Sequence, residues 1–177
     1  MQGIRVFATD EPHGTEKTKA LTWILLDKNK RCVAFGKEAR RKAHVWQSRH
    51  QLAMQQAMGA LQQEAMEPLY LFEDFKMLLQ DFTHGEEPVA VAVIGPPGDP
   101  LRLPVRELVQ RVYERNKVQV LKKADEDGQE PLVEVTWVLT VPAGWSDKAR
   151  ALMRKAAVDA GMLRDHQRPA TQVGNST

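Results

Sequence analysis

The 177-residue sequence has one cysteine, few aromatic residues and no long hydrophobic run. With Cys32 alone, no intramolecular disulfide is possible, and a reducing compartment is the simplest expectation. No apolar stretch approaches the roughly 20 residues that cross a bilayer, and the first residues lack the pattern of a signal peptide. We therefore expect a cytoplasmic protein with no membrane partner.

An excess of charge of one sign is also missing. Lys and Arg number 25 and Asp and Glu number 23, which gives a formal net charge of +2. This near balance argues against an obligatory polyanionic partner. The length suits one domain or one lobe of a larger one, and the hydrophobic fraction of 42% is ordinary for a globular protein.

Sequence patterns in the first half predict short strands followed by a long helix. Segment 3–9 has the composition of a strand, and the apolar run 20–26 and residues 31–35 are the expected arms of a hairpin. Apolar residues at helical spacing then predict a helix over 37–66, which Pro68 ends.

Strands and helices alternate in the second half. Segment 69–79 is ambiguous between the two, 89–94 has the pattern of a strand, and Pro104 opens a helix. The clearest strand signal is the alternation over 133–141, after which Ser146 is a good N-cap for another helix. Interleaved strands and helices indicate a mixed α/β fold.

Common motifs that bind phosphate or metal are not found in the sequence. Gly95 and Gly98 flank two prolines, which lack the N–H groups that an anion-binding loop needs. The five histidines do not have metal-ligand spacing, and no neighbouring base would activate Cys32, which we expect to be an apolar filler. The residue pattern therefore assigns no catalytic residue and no metal ligand.

A basic cluster occupies residues 28–42 and comprises Lys28, Lys30, Arg31 and the run KEARRK. It provides an alternative function, the binding of an anion or a nucleic acid. A solvated helix face is the commoner meaning of such a run, and Glu38 dilutes its charge. Nucleic acid is therefore not the expected partner.

The most specific pattern in the chain is the segment WVLTVPAGWSDKAR at residues 137–150. It is similar to a signature of the heat-shock protein 70 family, in which a strand ending in VTVPA precedes an aromatic pair, Asn-Asp and a helix carrying Arg. Residues 151–161, ALMRKAAVDAG, resemble that helix and are closest to the divergent member-12 subgroup. Three shorter segments resemble the subgroup in the same order: KTKALTWILL at 17–26, FGKEAR at 35–40 and FEDFKM at 72–77.

The resemblance implies an α/β fold, part of an actin-like ATPase domain of the ribonuclease H-like class. Residues 1–164 would form mostly its first lobe, a mixed sheet with flanking helices, and 165–177 a disordered tail. The family binds ATP and Mg²⁺ between two phosphate loops, DxGTT and DxGGGT, and the 177 residues contain neither. We therefore expect a truncated, chaperone-related protein without independent ATPase activity.

The expected partner is another protein or the second lobe that would complete the cleft. An alternative is an ATP-binding module whose cleft is completed by self-association or by a longer gene product.

Two residues acquire a role from the resemblance alone. Pro142 and Arg150 match the family's proline switch and its arginine partner, which relay the nucleotide state to a substrate domain. By themselves, the residue types predict only that Pro142 ends a strand and that Arg150 faces solvent. Lys76 falls near the family's catalytic lysine, but the loose register of that segment assigns it no role.

Overall fold

A computed structural model describes residues 22–57, 66–98, 100–126 and 137–163. In these residues, strands form two antiparallel sheets against which three α-helices and one 3-10 helix pack. The fold class is therefore mixed α/β, as the sequence predicts. In chain order the elements are β1 Ile24–Asp27, β2 Cys32–Phe35, α1 Gly36–Ala57, β3 Leu69–Phe72, the 3-10 helix Phe75–Leu79, β4 Val89–Val91, β5 Arg102–Pro104, α2 Val105–Glu126 and α3 Asp147–Asp159.

The predicted first hairpin is confirmed, with β1 and β2 paired antiparallel. Its turn is organised by Asp27, whose carboxylate accepts hydrogen bonds from the backbone N–H groups of Asn29 and Arg31, both at 2.8 Å. Lys30 has a φ of 60°, in the left-handed region that tight turns use. An Asp at the end of a strand therefore fixes the reversal through its own side chain.

β1 is the central strand of the larger sheet, whose order is β2-β1-β3. Successive side chains of a strand point to opposite faces, and here both faces are covered. Leu25 packs on the side of α1, with Ala39 and Ala43 of that helix. Ile24 and Leu26 face the main core. The 3-10 helix, the antiparallel pair β4 and β5, and helices α2 and α3 complete this core. Burial on both faces explains why β1 is a continuous apolar run in the sequence.

The ambiguous segment 69–79 contains two elements rather than one. β3 pairs antiparallel with β1, and the chain then turns at Asp74, whose φ is 45°, into the 3-10 helix. The predicted strand 89–94 is shorter than expected, because β4 ends at Val91. Ile94 contributes only an isolated bridge to Leu71.

The start of α2 is held against the end of α3 by Arg106. Its backbone N–H donates to the Glu87 carboxylate at 2.9 Å, which satisfies one of the free donors of the first helical turn. The Arg106 guanidinium forms ion pairs with Glu87 and with Asp159. The helix begins at Val105, one residue after the predicted Pro104, which is the last residue of β5.

The predicted helix after Ser146 is confirmed as α3. Ser146 is its N-cap, with the side chain accepting from the Ala149 N–H, and Gly161 follows the helix with a φ of 66°. The buried face of α3 consists of three alanines and two larger apolar residues: Ala149, Leu152, Met153, Ala156 and Ala157.

The strand predicted over 133–141 is the main correction to the sequence analysis. Residues 133–136 lie outside the described residues, and 137–141 are not in a strand and pair with no other described segment. Alternation specifies which faces a strand would present, but a strand also needs a neighbouring strand, and none of the described strands pairs with these residues. Val138 is consequently 81% exposed. The pairs between described strands are all antiparallel, so the parallel part of the expected mixed sheet is not found there.

Other predictions fall on residues that the structure does not describe. These are the strand at 3–9, the end of the first helix at 58–65 and the tail at 165–177. Among the helices that are described, including the two of 22 residues, none has the length and apolarity of a membrane span.

Candidate functional site

The loop before α3, residues 142–146, contains the residues that the family resemblance singles out. It begins with a turn in which the Trp145 N–H donates to the Pro142 carbonyl at 3.2 Å. The Trp145 side chain is buried in the main core, with 8% exposure. The aromatic residue therefore anchors the loop while the backbone around Pro142 stays at the surface.

Arg150 contacts this loop from the first turn of α3. Its Nη2 donates to the Ala143 carbonyl at 2.7 Å, and its Nη1 lies 3.3 Å from the Asp147 carboxylate. The side chain is half-exposed, as the sequence predicts, but the guanidinium is also engaged with the backbone next to Pro142. Pro142 and Arg150, which the sequence pairs only by resemblance, are thus brought to one short loop.

A second hydrogen-bonded contact holds the loop to the segment that follows the 3-10 helix. The Ser146 hydroxyl donates to the Phe82 carbonyl and accepts from the Ala149 N–H at 3.1 Å. One side chain therefore caps α3 and fixes its start against a distant part of the chain. The N-cap signal in the sequence indicates the bond with the Ala149 N–H but not the bond with the Phe82 carbonyl.

Lys76 lies beside the same loop. Its ammonium is positioned over the ring of Trp145, 6.0 Å from the ring centroid. Burial lowers the pKa of Lys76 below its ordinary value of 10.5. No carboxylate of the described residues forms an ion pair with this half-buried lysine.

A cavity of about 170 Å³ opens at Lys76. Most of the lining residues are apolar. The lining also includes Tyr113, and burial raises the pKa of its phenol to about 12. Sequence reasoning missed this cavity because its lining comes from β2, the 3-10 helix, α2 and α3, and no local pattern links them. The lining residues are Thr22, Phe35, Phe75, Lys76, Val109, Val112, Tyr113, Asn116 and Met153.

Several basic side chains of the cluster at 28–42 form ion pairs with carboxylates, one from the same helix and two from other parts of the chain. Lys28 pairs with Glu67 at 2.6 Å, Lys42 with Glu38 at 2.9 Å and Arg40 with Glu73 at 3.7 Å. The Arg40 guanidinium also stacks over the Trp23 ring, 4.8 Å from its centroid. Much of the positive charge that is contiguous in sequence is thus offset locally in the fold.

Cys32 and the histidines do not assemble into a reactive centre in the part of the chain that is described. The Cys32 thiol is half-buried, and burial raises its pKa, which keeps the sulfur protonated and weakly nucleophilic. His50 stacks on Trp46 with the ring centroids 4.9 Å apart. Within the described ranges, no group of three or more His, Cys, Asp or Glu side chains is arranged to hold a metal ion.

The loop before α3, its arginine and the lysine-lined cavity are therefore the features of the described residues with the most specific chemistry. Comparison with protein-family models, with curated proteins and with solved structures finds no match to this chain.

Proposed function

We propose that this chain is a heat-shock-70-like module of an actin-like ATPase domain, chaperone-related, which works through protein contacts and does not hydrolyse ATP by itself. The observation that carries the proposal is the hydrogen bond from Arg150 to the Ala143 carbonyl. It joins Arg150 to the residue that follows Pro142, and Pro142 and Arg150 are the two positions that the resemblance assigns to a conformational relay.

A second observation supports the same proposal. Two segments that resemble the family independently, 72–77 and 137–161, are adjacent in space. Lys76 of the first lies over Trp145 of the second, and Phe75 and Trp145 belong to the same core. The resemblance assigns both segments to one lobe, and their contact supports that part of the proposal.

The limit on catalysis comes from the chemistry of phosphoryl transfer. The phosphates and Mg²⁺ of a nucleoside triphosphate must be held from both sides of a cleft before water can attack the γ-phosphate. The 177 residues contain neither of the family's two phosphate loops. The chain alone is therefore expected to present a relay surface rather than an active site.

Two measurements test the two halves of the proposal. An experimental structure in which residues 22–163 do not superpose on the first lobe of a heat-shock-70 ATPase domain would remove the family assignment. Isothermal titration of the purified chain with Mg-ATP is expected to give no binding heat at micromolar concentrations. Micromolar binding with turnover would overturn the claim that the chain does not hydrolyse ATP.

Light scattering separates this proposal from the self-associating alternative. A monomer both with and without Mg-ATP is the expected result. A dimer that forms only with nucleotide and hydrolyses it would mean that a second copy completes the cleft, and the protein-contact proposal would then be wrong.

A further inference from the structure

The cavity at Lys76 combines one cation with an apolar wall. Lys76 is one of its lining residues, together with the aromatic residues Phe35 and Phe75 and the apolar residues Val109 and Met153. A cation at the margin of an apolar cavity selects a ligand that has one negative charge and an apolar body.

Lys76 is available for such a ligand. Ion pairs are found at many other basic side chains of the fold, but no carboxylate in the described ranges pairs with Lys76. The other titratable side chain of the lining, Tyr113 of α2, stays neutral because burial raises its pKa to about 12. The charge of the cavity at neutral pH is therefore that of the lysine.

Size restricts the ligand further. The cavity volume is about 170 Å³. Cavities of roughly 150 Å³ lined by apolar side chains accept a benzene molecule. A single ring or a short branched chain therefore fits, and the triphosphate of a nucleotide, which is large and carries several charges, does not.

We propose that this cavity is a binding site for a small apolar monocarboxylate, in which the Lys76 ammonium holds the carboxylate and the aromatic and aliphatic wall holds the apolar body. Asn116 and Thr22, which also line the cavity, are its other polar residues besides Lys76 and Tyr113. This inference is independent of the proposed function, because it rests on the cavity and not on the family resemblance.

Benzoate and isovalerate are suitable probes, and benzyl alcohol is a neutral analogue of nearly the same shape as benzoate. Titration of the full chain, followed by amide chemical shifts, is expected to show benzoate binding with the largest shifts at α2 residues Val112 and Asn116. Benzyl alcohol is expected to bind at least about tenfold more weakly, because it loses the charge-assisted hydrogen bond.

The Lys76→Met variant keeps the length and the apolar stem of the side chain but removes the charge. It is expected to lose benzoate affinity by about tenfold or more while benzyl alcohol binds as well as before or better. Lys122→Met removes a cation from an exposed position of α2 and is expected to change neither affinity.

Three results would overturn the proposal. One is the absence of benzoate binding at millimolar concentrations. Another is equal benzoate affinity in the wild type and in Lys76→Met, which would mean that the lysine does not hold the carboxylate. The last is an equal loss in Lys122→Met, which would indicate attraction by the overall charge of the helix and not by the cavity.

Discussion

Arg150 donates a hydrogen bond of 2.7 Å to the carbonyl of Ala143, seven residues earlier in the chain. The bond links the loop before α3, which contains Trp145 and Ser146, to the first turn of that helix. A guanidinium can hold this carbonyl and the nearby Asp147 carboxylate together because its donors form a planar fork. Loop and helix therefore have one fixed relative position.

Replacing Arg150 is expected to loosen this loop. Arg150→Ala removes a surface hydrogen bond from a charged donor and should lower the free energy of unfolding by about 0.5–1.5 kcal/mol. Urea denaturation measures the loss, and hydrogen exchange should become faster at the amides between Ala143 and Ser146. Arg154→Ala, at an exposed position of the same helix, is the matched control. Equal losses in the two variants would show that the removal of a positive charge from α3, not the contact with Ala143, is responsible.

Ser146→Ala is expected to be more damaging than an ordinary serine substitution. The hydroxyl caps α3 through the Ala149 N–H and also donates to the Phe82 carbonyl. Loss of an N-cap lowers stability by about 1–2 kcal/mol, and the carbonyl left without its donor adds to that loss. Thermal and urea unfolding check the value. Ser48→Ala, on the exposed side of α1, should change stability by less than about 0.5 kcal/mol.

The features that the sequence predicts well are those set by residues close together in the chain. Asp27 and Lys30 specify the first hairpin turn, and Ser146 and Gly161 specify the two ends of α3. Each of these signals acts over five residues or fewer and does not depend on the rest of the fold.

Features that depend on distant residues were not predictable in the same way. The pairing of β3 with β1 brings Leu71 against Leu25 across more than 40 positions of sequence, and nothing local indicates it. The alternation around Val138 predicts a strand, yet residues 137–141 have no partner in the described structure. The cavity at Lys76 is likewise invisible in the sequence, because four elements contribute to it.

Tyr113 is expected to make stability fall at high pH. Burial raises its pKa to about 12 from an ordinary value of 10.0, so the folded chain holds the phenolic proton more tightly than the unfolded chain. The stabilisation is complete below pH 10 and is lost as the pH rises from 10 towards 12. Tyr113→Phe cannot ionise, so its denaturation midpoint should decline less over that interval. If the denaturation midpoints of the wild type and of Tyr113→Phe declined equally over this interval, ionisation of Tyr113 would not be the cause of the decline.

Lys76→Met is expected to stabilise the protein at pH 7, because it removes an ammonium group that is partly desolvated and has no carboxylate partner in the described residues. The gain should be less than about 1 kcal/mol, since the side chain keeps some contact with water, which screens its charge. A methionine also fits the apolar wall that Phe75 and Met153 form.

The pH dependence of that gain identifies its cause. Burial lowers the pKa of Lys76 in the folded chain, so the folded state releases the proton before the unfolded state does. Wild-type stability therefore rises as the pH increases from the folded pKa to the ordinary value of 10.5, and the advantage of Lys76→Met should shrink over that window. Urea midpoints between neutral and alkaline pH measure the difference, with Lys122→Met, at an exposed position of α2, as the matched control. A constant advantage at every pH would mean that better packing, and not the removed charge, stabilises Lys76→Met.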